Sequence, residues 1–172
     1  KDAIISTEDG TFFENPGIDI NGIARAGINY LFWITDKVKG TSTISQQLIR
    51  NTLISNERKL PRKIKEIYLS YKLNNVYSKE DILEMYLNAI SFGSNANGVE
   101  QASRTFFGKS ASEVWPLGAT ILASLPKGPT YYSPYTRRDR LMGFVEVYPT
   151  DDTTERLTIM TDEEKTQYKD IY

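Results

Sequence analysis

The sequence predicts a mainly α domain running to about residue 140, with a short mixed strand and helix extension after it. Three observations carry this expectation. Apolar residues recur at helical spacing in successive windows: Ile44, Leu48 and Ile49; Ile64, Ile67, Tyr68 and Tyr71; Ile82, Leu83, Tyr86, Leu87 and Ile90. Helix start signals precede such windows at Ser42, Pro61, Ser78 and Ser112. Strand-like alternation is confined to the segment after Arg140.

The chain opens with an apolar lead-in (Ala3, Ile4, Ile5), two carboxylates (Glu8, Asp9) and an aromatic pair (Phe12, Phe13). The next clear window, STISQQLIRNTLI, predicts a helix capped by Ser42, with Ile44, Leu48, Ile49 and Leu53 on one side and Gln46, Gln47 and Arg50 on the other. PRKIKEIYLSYKL starts with a proline where a helix tolerates one. Its periodicity predicts a buried stripe of Ile64, Ile67, Tyr68 and Tyr71, with Glu66 opposite, off the core and among the cations Arg62 and Lys63. SKEDILEMYLNAI predicts a scaffold helix with a capping box between Ser78 and Asp81.

FGSNANG reads as a turn-rich loop, and VEQASRTFF as a helix. Ser112 is expected to cap a further helix through Trp115 to Leu125, which LPKGPTYYSP then ends. Beyond Arg140, GFVEVYP and LTIM read as strands, and TDEEKTQYKDIY as a short helix with a Thr161 and Glu164 capping box. Residues 1–140 therefore form the expected domain, and 141–172 an acidic linker or the edge of a following module.

The chain has 172 residues, 40% hydrophobic and 25% charged, which suits one globular domain or one plus the start of another. It contains no cysteine and no histidine. That composition excludes thiol catalysis, disulfides, Cys/His zinc sites and imidazole chemistry, so acids and bases must be carboxylates, lysines or tyrosines. Without an initiating Met or a signal peptide, the chain reads as an excised fragment. Its longest apolar cluster, INYLFWI at 28–34, falls short of the roughly 20 residues needed to span a bilayer. That cluster is expected either to touch a membrane surface or to be ordinary core.

Net charge is −1, unevenly distributed. From Lys37 to Lys72 nine cations face two anions, and from Leu141 to Tyr172 eight anions face three cations. The basic region calls for an anionic ligand. Nucleic acid fits poorly, since few aromatics interleave the cations and the chain as a whole is acidic.

Two carboxylates are candidate chemistry. Glu8 stands next to apolar and aromatic residues, a setting suited to acid–base work near neutrality, although Glu8 and Asp9 would also serve as a helix cap or turn. Glu66, within RKIKE, would equally fit an exposed helix with ion pairs worth about 0.2–0.5 kcal/mol each. The helix opened by Ser42, flanked by Lys39 and carrying Arg50, offers N–H groups and positive charge to a phosphate or diphosphate. Ser124 and Lys127 match an SxxK spacing, but the proline-broken context and the lack of a KTG make this a chance match.

In order and at these spacings, EDGTFFENPGID, KGTSTISQQLIRN, RKIKE and SKEDILEMYLN resemble the motif series of the peptidoglycan glycosyltransferases, glycosyltransferase family 51, found in class A penicillin-binding proteins and monofunctional transglycosylases. FGSNANGVEQASRTFFGKSASE and LASLPKGPTYYSPY extend the likeness, which covers about residues 3 to 140.

The resemblance implies a lysozyme-like, two-lobed helical fold at the outer face of the bacterial cytoplasmic membrane. It also implies polymerisation of lipid II, the growing glycan passing from its polyprenyl diphosphate to the 4-hydroxyl of the next unit. By matching positions, Glu8 is the implied general base and Glu66 the second glutamate, near the leaving diphosphate. Arg25, Ser42, Gln46, Gln47, Arg50, Arg58, Arg62, Lys63 and Lys65 are the implied substrate-binding set. No cofactor is implied as obligatory, with a divalent cation (Mg or Mn) at Glu66 as an option. Implied partners are lipid II, the nascent glycan strand, the membrane and other cell-wall synthesis proteins, with no nucleic acid.

The chain departs from the family pattern at Asn15, where His is usual, at Gly10, where a basic residue is frequent, and at Thr41, where Gly or Ala is usual. The structure supporting the first motif is therefore expected to differ. A glycan-cleaving lysozyme-like enzyme and an inactive membrane- or glycan-binding module are the competing expectations.

Overall fold

The structure, a computed structural model, describes residues 1–25, 42–54, 59–137 and 139–141. Its regular elements are helical: α1 (Asp2–Glu8), α2 (20–25), α3 (Ile44–Thr52), α4 (Lys59–Val76), α5 (Lys79–Ala89), α6 (Val99–Phe107) and α7 (Pro116–Ser124), with a 3₁₀ turn at Ala111–Glu113. A single isolated bridge, Ser91 to Asn97, is the β pairing among the described residues. The mainly α expectation is met. The expected strands, terminal helix and apolar cluster INYLFWI lie outside the described residues, as does Arg58.

By contact the chain forms two compact units, one of Glu8–Ala89 and one of Lys1–Thr7 with the described residues from Ile90 onward. In the first unit α3 packs against both α4 and α5. Helix α3 is enclosed, and Ile44 through Ile49 are all buried. Its cap is Thr43, not the expected Ser42: Thr43 Oγ1 accepts from Gln46 N (3.2 Å) while Gln46 Oε1 accepts from Thr43 N (3.0 Å). Two hydroxyls compete for the cap, and Thr43 has the glutamine three residues on that closes the box. Leu53, expected inward, is 67% exposed and rims a groove of about 940 Å³ floored by Leu48, Ile49, Leu73 and Met85.

Helix α4 reverses the predicted face. Ile64, Tyr68 and Tyr71 are 64%, 56% and 48% exposed, whereas Glu66 is 1% exposed and Ser70 fully buried. The reason is polar matching: Asn74 Nδ2 donates to Ser45 Oγ on α3 (2.8 Å) and to the Ser70 carbonyl (2.9 Å), so the hydrogen-bonding face turns inward. Helix α5 follows expectation, with the Ser78 and Asp81 capping box formed and Ile82, Leu83, Tyr86 and Ile90 buried.

A loop from Asp9 to Ile18 lies close to α4 at Gly17, whose φ is +90°. A Cβ there would lie 2.6 Å from the Ser70 carbonyl and collide with the Asn74 amide. Only glycine combines that dihedral with that approach.

In the second unit, α6 ends on Gly108 in the left-handed region and buries Ala102, Phe106 and Phe107. Phe107 packs on Trp115, their ring centroids 5.7 Å apart. The expected Ser112 cap is not formed. Ser110 instead opens the 3₁₀ turn with Glu113 as its box partner, and α7 begins at Pro116, where the missing N–H costs nothing.

Candidate active site

Helix α1 delivers Glu8 as its last residue, and α3 supplies the group that holds it. Gln47 Nε2 donates to Glu8 Oε2 at 2.7 Å, and Tyr86 on α5 donates its phenol proton to Gln47 Oε1 at 3.1 Å. Tyr86 is fully buried. Burial drives its phenol far above the usual tyrosine value; the Glu8 carboxylate adds to this, and the Arg50 guanidinium partly offsets it. The phenol is thus a permanent donor. The other Glu8 oxygen, Oε1, is buried and has no partner among the described residues.

Asp9 has a different place. Its Oδ2 accepts the N–H of Ile44 (3.1 Å) at the first turn of α3, and Asn15 Nδ2 bridges both its oxygens at 3.0 and 3.2 Å. A carboxylate there satisfies an orphan donor and complements the helix dipole. Asn15, the departure from the family pattern, therefore keeps the first motif tied together. Lys79 completes the network by donating to the Asn15 carbonyl (2.7 Å) and lying over the Phe12 ring, 4.7 Å from its centroid. Desolvation lowers the ammonium's pKa, with the Asp9 charge opposing.

Glu66 is the second buried carboxylate. Its Oε1 takes the Lys63 ammonium at 2.5 Å, and the same ammonium donates to Ser42 Oγ at 3.0 Å. The sequence expectation of a carboxylate off the core is corrected: Glu66 is 1% exposed, and the half-exposed Lys63 ammonium closes over it. Around Glu66 the donor set is one carboxylate already joined to an ammonium, and no cluster of three acidic side chains forms among the described residues. A single carboxylate is enough for a Mg ion that draws its other oxygen ligands from water and substrate phosphates, and Glu66 is the residue that would supply it.

Of the remaining expected residues, Gln46 spends its Oε1 on the α3 cap, while its Nε2 is buried without a partner among the described residues. Arg50 lies in the last turn of α3. Arg62 is half-buried, its Nε without a partner among the described residues, Lys65 is exposed, and Arg25 pairs loosely with Asp19 at 3.7 Å while 70% exposed. The orphaned atoms Glu8 Oε1, Gln46 Nε2, Arg62 Nε and Asn74 Oδ1 all belong to the unit of Glu8–Ala89. Buried polar atoms are rarely left unpaired, so this concentration suits a polar ligand.

The SxxK match comes to nothing. Ser124 is fully buried and its hydroxyl donates back to the Ile121 carbonyl at 2.7 Å.

Sequence reasoning left Tyr86, Asn15 and Lys79 outside the site. For Tyr86 a signal was present: a tyrosine on the inward face of a helix must find a partner for its hydroxyl when buried.

The family profile for transglycosylases matches residues 1–148. The chain belongs to the transglycosylase family. It is accordingly an enzyme of the peptidoglycan glycosyltransferase class, as the motif resemblance implies. Among similar proteins, penicillin-binding protein 1A of Rickettsia typhi is 39% identical over 165 residues, covering 88% of this chain and 21% of the relative. Penicillin-binding protein 1A of Escherichia coli K12 is 42% identical over 138 residues, 80% of this chain and 16% of the relative. That of Clostridium botulinum is 38% identical over 139 residues, 79% and 17% respectively. This transglycosylase chain thus spans only about a fifth of those relatives' length. Among its described residues no helix is long and apolar enough to cross a membrane.

Proposed function

We propose that this transglycosylase domain polymerises lipid II, transferring the growing glycan from its polyprenyl diphosphate to the 4-hydroxyl of the incoming unit. The observation that carries the reading is the division of labour at Glu8: Oε2 is held by Gln47, and Oε1 is buried with no partner among the described residues. In the proposed step Glu8 Oε1 takes the proton of the acceptor hydroxyl. The freed oxygen bonds to the donor's anomeric carbon, and the bond from that carbon to diphosphate breaks. Lys63, Arg62, Lys65 and Arg50 supply positive charge for the departing diphosphate, together with the amide of Gln46. Glu66 keeps the Lys63 ammonium next to Ser42, ahead of the α3 cap.

The cations favour a diphosphate donor over a neutral glycan, which weighs against the cleaving reading. The intact Asp9–Asn15 contact weighs against a dismantled, inactive module. A lipid-linked substrate also requires apposition to the outer face of the cytoplasmic membrane, and we assign the cluster at 28–34 to that contact. We read the helices as the lysozyme-like, two-lobed type, with 1–140 as the transferase domain and 141–172 as an acidic linker. Other cell-wall synthesis proteins are the expected company of such a domain.

The test is polymerisation of labelled lipid II in a membrane-mimicking detergent by the wild type and Glu8→Gln. A positioned general base is worth about 10²–10⁴-fold, so the variant should lose at least about 100-fold in kcat. Release of soluble fragments from purified sacculi by the wild type, with no polymer formed, would overturn the proposal.

A further inference from the structure

We infer that Tyr86 is a positioning residue for Glu8, acting through Gln47 and touching neither substrate nor the reacting atoms. This rests on the reading of Glu8 as the base. The two contacts form a relay across three elements: α5 to α3 (Tyr86 Oη to Gln47 Oε1, 3.1 Å) and α3 to α1 (Gln47 Nε2 to Glu8 Oε2, 2.7 Å). A primary amide has a donor end and an acceptor end, and its rotation decides which end meets the carboxylate. The Tyr86 phenol occupies the acceptor end, which leaves the NH₂ group for Glu8.

The consequence concerns which carboxylate oxygen reacts. With Oε2 engaged as an acceptor, the acceptor hydroxyl's proton goes to Oε1, the atom left unpartnered among the described residues. Once Oε1 is protonated, Oε2 still accepts from Gln47, so the amide need not reorganise during the step. A phenol that stays protonated by virtue of its burial keeps this orientation fixed across the working pH range. Tyr86 is fully buried and Gln47 is 7% exposed, so water cannot readily take over either contact.

Removing the phenol proton leaves Gln47 Oε1 buried without a donor and frees the amide to turn. Misplacing a reacting group by about 1 Å can cost about 100-fold, and loss of one restraint should cost about 10- to 100-fold in kcat with KM within about twofold. The experiment is a double-mutant cycle on lipid II polymerisation with wild type, Tyr86→Phe, Gln47→Ala and the double variant, with Glu8→Gln as control. Tyr86→Phe should lower kcat as stated, and in the Gln47→Ala background the same change should cost less than about twofold. A merely structural tyrosine would give additive losses, or loss of active protein at unchanged kcat.

Either of those results, or a wild-type kcat for Tyr86→Phe, overturns the inference while an active wild type and an inactive Glu8→Gln leave the proposed function standing. An inactive wild type overturns that function instead. Should Tyr86→Phe fail to fold, the side-chain amide of Gln47 in the wild type decides by NMR. One protected, downfield Nε2 proton that shifts in Glu8→Gln supports the relay, and a freely exchanging amide refutes it.

Discussion

Asp9 separates a structural carboxylate from a chemical one, and Asp9→Ala gives the cleanest measure of it. The change strips the acceptor from the Ile44 N–H, which sits 3.1 Å from Oδ2 on a fully buried residue. Leaving such a donor unsatisfied costs about 1–3 kcal/mol. Loss of an anion at the N-terminus of α3 adds about 0.3–1 kcal/mol. Asn15 Nδ2 keeps its bond to the Thr11 carbonyl (3.0 Å), so its contribution is small. Together the loss is about 2–3 kcal/mol, and at about 2–4 °C per kcal/mol for a chain of this size the melting temperature should fall by about 5–10 °C. Asp9→Asn, which keeps one oxygen to accept from Ile44, should lose less than half as much. Thermal melts followed by circular dichroism measure both. A melting point for Asp9→Ala within about 1 °C of the wild type would refute the assignment of Asp9 to the α3 terminus.

Three further outcomes are expected. Gly17→Ala meets the Ser70 carbonyl at 2.6 Å from a backbone φ of +90°, so it should cost at least about 2 kcal/mol in urea unfolding, and a change below about 0.5 kcal/mol would contradict the close approach. The Ala111 N–H, then Ser110 and Arg104, hold the Glu100 carboxyl below its usual range. A depressed folded value gives stability that is present above the unfolded value and lost as pH falls through the folded one. The melting-temperature gap between wild type and Glu100→Gln should therefore be full above about pH 5 and shrink progressively as pH falls below the usual glutamate value; a gap constant down to the acid limit argues against the contact. Because Lys63 supplies the charge beside Glu66, chelation with EDTA should leave polymerisation within about twofold while Lys63→Met lowers kcat at least about tenfold. Complete loss on chelation, restored by Mg, would reverse that assignment.

How far the sequence revealed the fold depended on whether local pattern and tertiary packing agreed. For α5 they did: the Ser78 and Asp81 box and the stripe from Ile82 to Ile90 are local features that packing left unchanged. The α3 cap was displaced by one residue because Ser42 and Thr43 both carry hydroxyls, and only Thr43 has Gln46 at the third helical position. The candidate site was legible as a set of residue types in order, Glu8, the QQ pair and Glu66. Its connections were not, since Gln47 reaches Glu8 across 39 positions, and Tyr86 reaches Gln47 across 39 more. Such pairings depend on how three helices meet, which periodicity within any one of them does not encode.

Helix α4 is where pattern and packing disagree most, and its energetics favour the candidate site independently of any motif. Turning Ile64, Tyr68 and Tyr71 outward at 64%, 56% and 48% exposure forgoes about half of the roughly 1.5–3 kcal/mol that burial of each large apolar side chain would contribute, about 3 kcal/mol in all. The face turned inward instead carries the buried Glu66 and Ser70 and the half-buried Asn74, with Lys63 reaching Glu66. The half-buried ion pair returns little of that loss, because desolvation of Glu66 offsets much of its attraction. Helix α3 repeats the pattern by burying Gln46 and Gln47 while leaving the Gln46 Nε2 unpaired. Two neighbouring helices that both enclose polar groups against their own stability are what a ligand site would require and a core would not, which supports the proposed function. Substituting that face with well-packed apolar residues should therefore raise stability and abolish glycosyl transfer together.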